Sequence, residues 1–488
     1  MKGSPLSLYT LHFTLQSSLE RAKTMRTILR TMLLIALVVS ISGSLAGQLP
    51  QAAVGRIDAI ATKVLADTEA PSVSIAILKD GKVAFVKAYG NARLEPPTPA
   101  SSETRYSIGS ISKQFLAGAI LLLAQDGKLS LEDRVARYLP SLTRADDITI
   151  RQLLSHTSGY QDYYPLDYVA PFMEEPVTPQ GILDRWAKKP LDFDPGTEWQ
   201  YSNTNYVVAG RILEKVAGMP LMSFLESRIF RPLGMQSPID LDTHPLSNSD
   251  AAGYTRFGLA AVRPVAPEAG GWLYAAGELA MTARDLALWD QSLIEGKLLK
   301  SDSLKEMIKP VRLKNGAPVN YGLGVGIVDA SGHPKLEHGG AVSGFVSDNA
   351  AWLDEGIAAV ALTNLDGSDA ARSIVNQIGT WLLGEKLDPD AAHSLEQARE
   401  IFRELQDGRI DRSLLNSDAD SFFTAQVLAD AASSLKPLGT PASFEQTSFG
   451  LRGGMTYRNF RIGFASGKPL RLSTFATPDG KLAQYLIP

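Results

Sequence analysis

Apolar and polar positions alternate in two short runs near the start of the chain. Ser72–Leu78 alternates and ends at Asp80-Gly81, and Lys82–Tyr89 alternates again. Two period-2 runs around Asp-Gly predict a β-hairpin. A helical pattern over Gln51–Leu65 precedes it, and Pro96, Pro97 and Pro99 mark a loop after it. The next run, Phe115 through Ala119, Ile120, Leu122, Leu123 and Ala124, is apolar nearly all round, which predicts a buried helix. Gly127 fits its C-cap. From about 129 to 263 strand patterns are rare. Helical pieces dominate there, at Ile150–Leu154, Pro179–Lys188, Asn205–Val216 and Met222–Ile229. Thr282-Ala283-Arg284-Asp285 reads as a capping box opening a helix over Leu286–Ile294. Strand character returns at Gly322–Val328, Lys335–His338, Phe345–Leu353 and Ile357–Thr363, followed by a helix over Asp369–Leu383. The hairpin and the later strands therefore predict one antiparallel sheet interrupted by a helical insertion, an α+β fold (an α/β sandwich). A separate small α+β unit is expected over 389–488. Its helices are read at Leu395–Leu405 and Phe422–Leu435, its strands at Ser443–Ser448, Met455–Phe464, Pro469–Thr474 and Leu482–Leu486.

Composition narrows the function classes. The chain has 488 residues, 44% hydrophobic and 20% charged, with a net charge of −4. That is globular and without the basic clusters of a nucleic-acid binder. The absence of cysteine excludes disulfides, thiolate metal sites, a thiol nucleophile and a lipoprotein anchor. Six scattered histidines and no His-Glu-x-x-His leave no motif for a metal, and no Gly-x-Ser-x-Gly elbow occurs. Arg26 and Arg30, the apolar run Met32–Val39 and the small residues Ser42–Ala46 fit a signal peptide cut before Gly47. Residues 1–46 are thus expected to be removed, with Met25 a candidate true start, leaving an acidic chain exported to the periplasm or the medium. An uncleaved membrane anchor is the alternative, although the run is short for a span.

Three groups of residues carry chemistry. Ser110-Ile111-Ser112-Lys113 stands at the mouth of the buried helix, where residues three apart share a face. A serine hydroxyl needs a base beside it, and burial keeps an amine neutral. Taken alone, the same four residues are also an ordinary helix start with an exposed lysine. Tyr201-Ser202-Asn203 reads as a loop ahead of a helix. A phenol beside an ammonium is expected to ionise more easily and to act as a base, though a turn with an N-cap asparagine fits as well. His338-Gly339-Gly340-Ala341 reads as a strand edge whose glycines admit a ligand, or as a simple hairpin turn.

In this order the three groups resemble the serine β-lactamase and penicillin-binding protein superfamily, whose Ser-x-x-Lys is a known motif. The pattern is most similar to the branch of class C β-lactamases, DD-peptidases, D-aminopeptidases and family VIII carboxylesterases. Ile148–Gly159, Pro195-Gly196, Ala276-Gly277 and Thr363-Asn364 support it, and the likeness spans roughly 50–388. The resemblance implies a β-lactamase/transpeptidase-like domain over 47–388 with its helical subdomain at about 129–263. It implies Ser110 as the acylated nucleophile, Lys113 as the amine that helps deprotonate it, and Tyr201 as general base and leaving-group acid. Asn203 would orient substrate and Lys113, His338 would stand at the Lys/His position, and Gly340-Ala341 would border an oxyanion hole made by the N–H groups of Ser110 and Ala341. No cofactor is implied, and the partner is a small molecule or peptide. His338-Gly339 lacks the charge and hydroxyl of Lys-Thr-Gly, which weakens a carboxylate site and favours esters and small amides over β-lactams. The alternative is a slowly acylated or non-catalytic penicillin or peptidoglycan binder. His156 is read as structural. Tyr160, Tyr163, Tyr164 and Tyr168 either line an acyl pocket or pack as a loop. Gly408–Asp411 and Leu451–Met455 are similar to C-terminal extensions of related hydrolases, with an NTF2-like shape.

Overall fold

The computed structural model describes residues 49–488 apart from 167, 259, 331–332, 385–389, 466–468 and 488. The expected signal peptide lies outside the described residues. The chain divides into two compact units, at Leu383/Gly384.

The first unit is built on a seven-stranded antiparallel sheet. Its strands are β1 (Ser72–Lys79), β2 (Lys82–Leu94), β3 (Pro97–Pro99), β4 (Gly326–Ala330), β5 (His333–Val342), β6 (Phe345–Trp352) and β7 (Ile357–Thr363), in the spatial order β3-β2-β1-β7-β6-β5-β4. The hairpin turn sits where the sequence placed it. Asp80 and Gly81 both have positive φ, 52° and 68°, and Lys79 pairs with Lys82. That is the left-handed two-residue turn whose twist matches its strands.

β1 and β7 lie in the middle and are buried on both faces. Successive side chains of a strand point to opposite faces. Val73, Ile75 and Ile77 of β1 and Ile357, Ala359 and Ala361 of β7 accordingly enter one core, with α1 (Gln51–Thr68) and a later helix, Ala370–Leu382. Ala76 and Leu78, with Ala358, Val360 and Leu362, enter the other. There α2 (Ser112–Gln125) packs with α3 (Asn203–Ala217) and α4 (Ala283–Glu295). Phe115 of α2 lies 4.7 Å from Trp289 of α4, ring to ring. The helix Ala370–Leu382 is α5.

Two boundaries differ from the sequence reading. The strand expected over Gly322–Val328 begins only at Gly326. Gly322–Val325 instead forms a turn, with Gly322 N–H donating to Val325 O and Gly324 at φ 74°. The helix expected from Asn205 begins at Asn203, so Asn203 is its first residue and not its cap.

The second unit has its own core. α6 (Ala391–Gln406), α7 (Ser417–Phe422) and α8 (Ala425–Leu435) accompany a four-stranded antiparallel meander: β8 (Ser443–Arg452), β9 (Met455–Gly463), β10 (Leu470–Ala476) and β11 (Leu482–Leu486). Ile401, Phe402, Phe460, Ile462 and Leu472 are buried in it. The single helix expected over Phe422–Leu435 is two. Thr424 breaks it by capping α8 through a hydrogen bond from Val427 N–H. Among the described residues, no helix is long and apolar enough to cross a membrane.

Candidate active site

The turn that carries Ser110 is held by two short pieces of sheet. Tyr106-Ser107 pairs with Leu279–Met281, and Ile108 N–H donates to Leu279 O. Gly109–Ile111 then makes one 3-10 turn that runs into α2. Ser110 is half-buried, while Lys113 is completely buried. Lys113 Nζ lies 2.9 Å from Ser110 Oγ and donates to Ala276 O at 2.6 Å. Burial pulls its amine down to about 7, against the opposing charges of Asp162 and Glu278. Near neutral pH a large share of Lys113 is therefore unprotonated and able to take a proton.

Tyr201 reaches Ser110 from the other side. Its hydroxyl donates to Ser110 Oγ at 2.8 Å, and Lys113 Nζ lies 5.0 Å from the centre of its ring. Burial pushes its phenol up. The expected ionised phenol is thus corrected to a neutral one, because burial disfavours the phenolate and the nearby charge of Asp162 adds to that.

Asn203 is held by Asp162. The Asp162 carboxylate accepts from Asn203 N–H at 2.9 Å and from Nδ2 at 3.2 and 3.3 Å. The expectation that Asn203 orients Lys113 is replaced by a different pairing. The Lys113 amine takes Ser110 and Ala276, and the Asn203 amide takes Asp162.

The third group closes the site from β5. His338 Nδ1–H donates to Gly339 O at 2.7 Å, which leaves Nε2 to accept from the Tyr321 hydroxyl at 2.8 Å. Burial, with the charge of Lys113, pulls the imidazole down to about 4, so it is neutral. Gly340 is required by contact. A Cβ there would lie 1.9 Å from Ile108 O and 2.3 Å from Ser347 Oγ. Gly109, at φ 50°, faces the same strand, and a Cβ on it would come within 2.9 Å of Ala341 N. Ser347 Oγ–H donates to Ile108 O at 2.8 Å and fastens β6 to the turn. The backbone of Ala341 thus lies directly beside the turn that carries Ser110.

Several neighbours escape sequence reasoning. His156 stacks on Tyr201 with ring centres 4.3 Å apart, and its Nδ1 accepts from Ser202 N–H at 3.1 Å. It is fully buried and neutral, which agrees with a structural reading but ties it to the Tyr201 loop. Tyr321 and Asp162 belong to no motif, and only their proximity in the fold marks them. Arg372 of α5 stands beside Gly339, its Nη2 3.3 Å from the position of an added Cβ, and pairs with Asp348 at 3.4 Å. Of the four tyrosines, Tyr160 and Tyr163 are packed, donating to Thr143 O and Trp272 O, whereas Tyr168 is exposed.

Comparison with known proteins bears on the family and the fold. A Bacillus subtilis relative bearing the name penicillin-binding protein PbpX is 31% identical over 255 residues, covering 52% of this chain and 62% of the relative. A D-aminopeptidase of Brucella anthropi is 27% identical over 326 residues, 66% of this chain and 61% of that one. The chain thus spans about three fifths of the length of these relatives. The solved D-stereospecific amidohydrolase of a Streptomyces species superposes with a TM-score of 0.58 at 28% identity, covering 65% of this chain and 97% of that structure. The family model described as Beta-lactamase matches residues 57–378, most of the chain and all three groups around Ser110, and the chain belongs to that family.

Proposed function

We propose that the protein is an exported serine hydrolase that works through an acyl-enzyme on Ser110. The observation that carries this is the placement of Ser110 Oγ within hydrogen-bond reach of both the Lys113 amine, pulled down to about 7, and a neutral Tyr201 phenol. Lys113 takes the hydroxyl proton as Oγ attacks the substrate carbonyl. The oxyanion is met by the backbone N–H groups of Ser110 and Ala341, the kind of preorganised contact that lowers such barriers most. As the carbonyl reforms, the bond to the leaving group breaks and Tyr201 gives that atom its proton. The proton held by Lys113 then restores Tyr201. Water repeats the cycle on the acyl-enzyme and frees Ser110.

The substrates are esters and small amides, including D-amino-acid amides, in keeping with the names of the relatives. A neutral His338 and a side-chain-free Gly339 offer no charge or hydroxyl to a carboxylate, and Arg372 next to them is turned to Asp348. That disfavours efficient β-lactam hydrolysis. Export rests on the leader-like residues 1–46. Turnover of short-chain p-nitrophenyl esters tests the reading. Ser110→Ala lowers kcat by roughly a thousandfold or more if it holds. Ester turnover that survives Ser110→Ala would overturn the role of Ser110, and absence of turnover on esters, β-lactams and D-amino-acid amides in the unaltered protein would overturn the reading in favour of a binder.

A further inference from the structure

His156 combines two unfavourable features. It is a non-glycine residue at φ 60°, in the left-handed region that a Cβ disfavours. Its imidazole is completely buried. Nδ1 accepts from Ser202 N–H at 3.1 Å, so the ring proton sits on Nε2. Nε2–H finds no acceptor among the described residues, which leaves a desolvated donor unmatched. Strained and unmatched groups of this kind gather at functional sites, where the surrounding structure holds them. Here they accompany a clamp on Tyr201. His156 follows the short helix Ile150–Leu154, and its own N–H donates to Leu153 O at 3.2 Å. Its carbonyl accepts from Gln200 N–H at 3.1 Å, while Nδ1 takes Ser202 N–H. Both neighbours of Tyr201 in the chain are thus held by one residue. Between these bonds the imidazole lies against the Tyr201 ring, centres 4.3 Å apart and planes 33° from parallel. Tyr206 and Tyr321 enclose the imidazole further, with ring centres 5.2 and 5.0 Å away. The phenol held in this way donates to Ser110 Oγ at 2.8 Å.

We propose that His156 is a positioning residue for Tyr201: its buried imidazole aims the phenol at Ser110 and at the leaving-group atom of the substrate. The role rests on Ser110 being the acylated nucleophile and Tyr201 the acid for the leaving group. His156 itself neither carries a proton in the reaction nor touches substrate. A misplacement of about 1 Å in a group that must meet a reacting atom costs roughly a hundredfold in rate, so a ring that fixes the phenol's angle acts on turnover without joining the chemistry.

The experiment uses the p-nitroanilide and the p-nitrophenyl ester of D-alanine, which share an acyl group and differ in whether the leaving group needs a proton. The readout is the ratio of kcat/KM for the anilide to that for the ester, from which a general loss of folded protein cancels. Asparagine tolerates positive φ and supplies an acceptor in place of Nδ1, so His156→Asn removes the ring and little else. It lowers the ratio by roughly tenfold or more. In a Tyr201→Phe background, where no phenol is left to aim, the same substitution moves the ratio no further. His156→Phe returns a ring to the face of Tyr201 and keeps the ratio within about threefold of the unaltered protein's. A ratio unmoved by His156→Asn overturns the proposal, because a purely structural residue lowers both rates by one factor. So does a further fall in the Tyr201→Phe background, or a His156→Phe ratio as low as that of His156→Asn, and each variant can overturn the proposal if the other fails to fold. A Tyr201→Phe ratio equal to that of the unaltered protein would instead overturn the acid role of Tyr201. Absence of Ser110-dependent turnover in the unaltered protein, seen before any variant at 156 is made, would overturn the acyl-enzyme reading beneath both.

Discussion

Lys113 and Tyr201 touch the same hydroxyl with their pKa values displaced in opposite directions, the amine down to about 7 and the phenol up. Environments that push two titratable groups apart assign the base and the acid. In the proposed mechanism the base is the neutral amine, and activity follows its deprotonation. On the proposed mechanism kcat/KM for an ester rises with pH below 7, about tenfold per unit, and levels off above 8. His338, pulled down to about 4, adds no inflection between 5 and 9. A flat profile across that range would contradict the role of Lys113. Tyr201→Phe removes the acid, which matters in proportion to how poor the leaving group is. We expect a loss of roughly a hundredfold or more on an anilide and a much smaller one on a p-nitrophenyl ester, whose leaving group needs no proton. Equal losses on both would place Tyr201 elsewhere in the mechanism. Ser110 and Lys113 were legible because a three-residue spacing on a helix is a local fact. Asp162 and Tyr321 were not. Their partners Asn203 and His338 lie 41 and 17 residues away, and only the folded chain brings them together.

The elements matter by how closely their backbones approach. β5 lies against the turn that carries Ser110 because Gly340 carries no side chain, and β6 is tied to the same turn by Ser347. Gly340→Ala forces the strand away from Ile108. It should cost roughly 1–3 kcal/mol of stability, as overpacking does, together with most of the activity. Gly339→Ala is the control one residue away. Its nearest neighbour, at 3.3 Å, is the end of a flexible arginine. Thermal unfolding and ester turnover of the two variants check this, and equal damage from both would contradict it. β1 was readable from alternation and β7 as a short apolar run bounded by turn residues, and both feed alternate residues into two cores. Strand ends were less so. In Gly322–Val325 a glycine with positive φ makes a turn out of a stretch whose composition reads as strand. The glycines of β5, read as a possible hairpin, instead lie inside a continuous strand.

At the scale of the molecule, each unit encloses its own core, one on both faces of the seven-stranded sheet and one on the four-stranded meander. Separate cores predict separate unfolding. Calorimetry should resolve two transitions, and acylation of Ser110 should raise one of them and leave the other in place. A single transition that moves as a whole would contradict this. The division of the chain was visible as a change in pattern after about residue 388, and it falls at Leu383/Gly384. The second unit gave no chemical motif to read.

The central claim is a covalent bond to one oxygen, and mass spectrometry observes that bond directly. The protein is mixed with a p-nitrophenyl ester, quenched in acid within the first turnovers and digested, beside a Ser110→Ala control. The account predicts one added acyl group, on the peptide containing Ser110 and on its hydroxyl, and none in the control. An adduct on another residue, or equal labelling of both proteins, would contradict it.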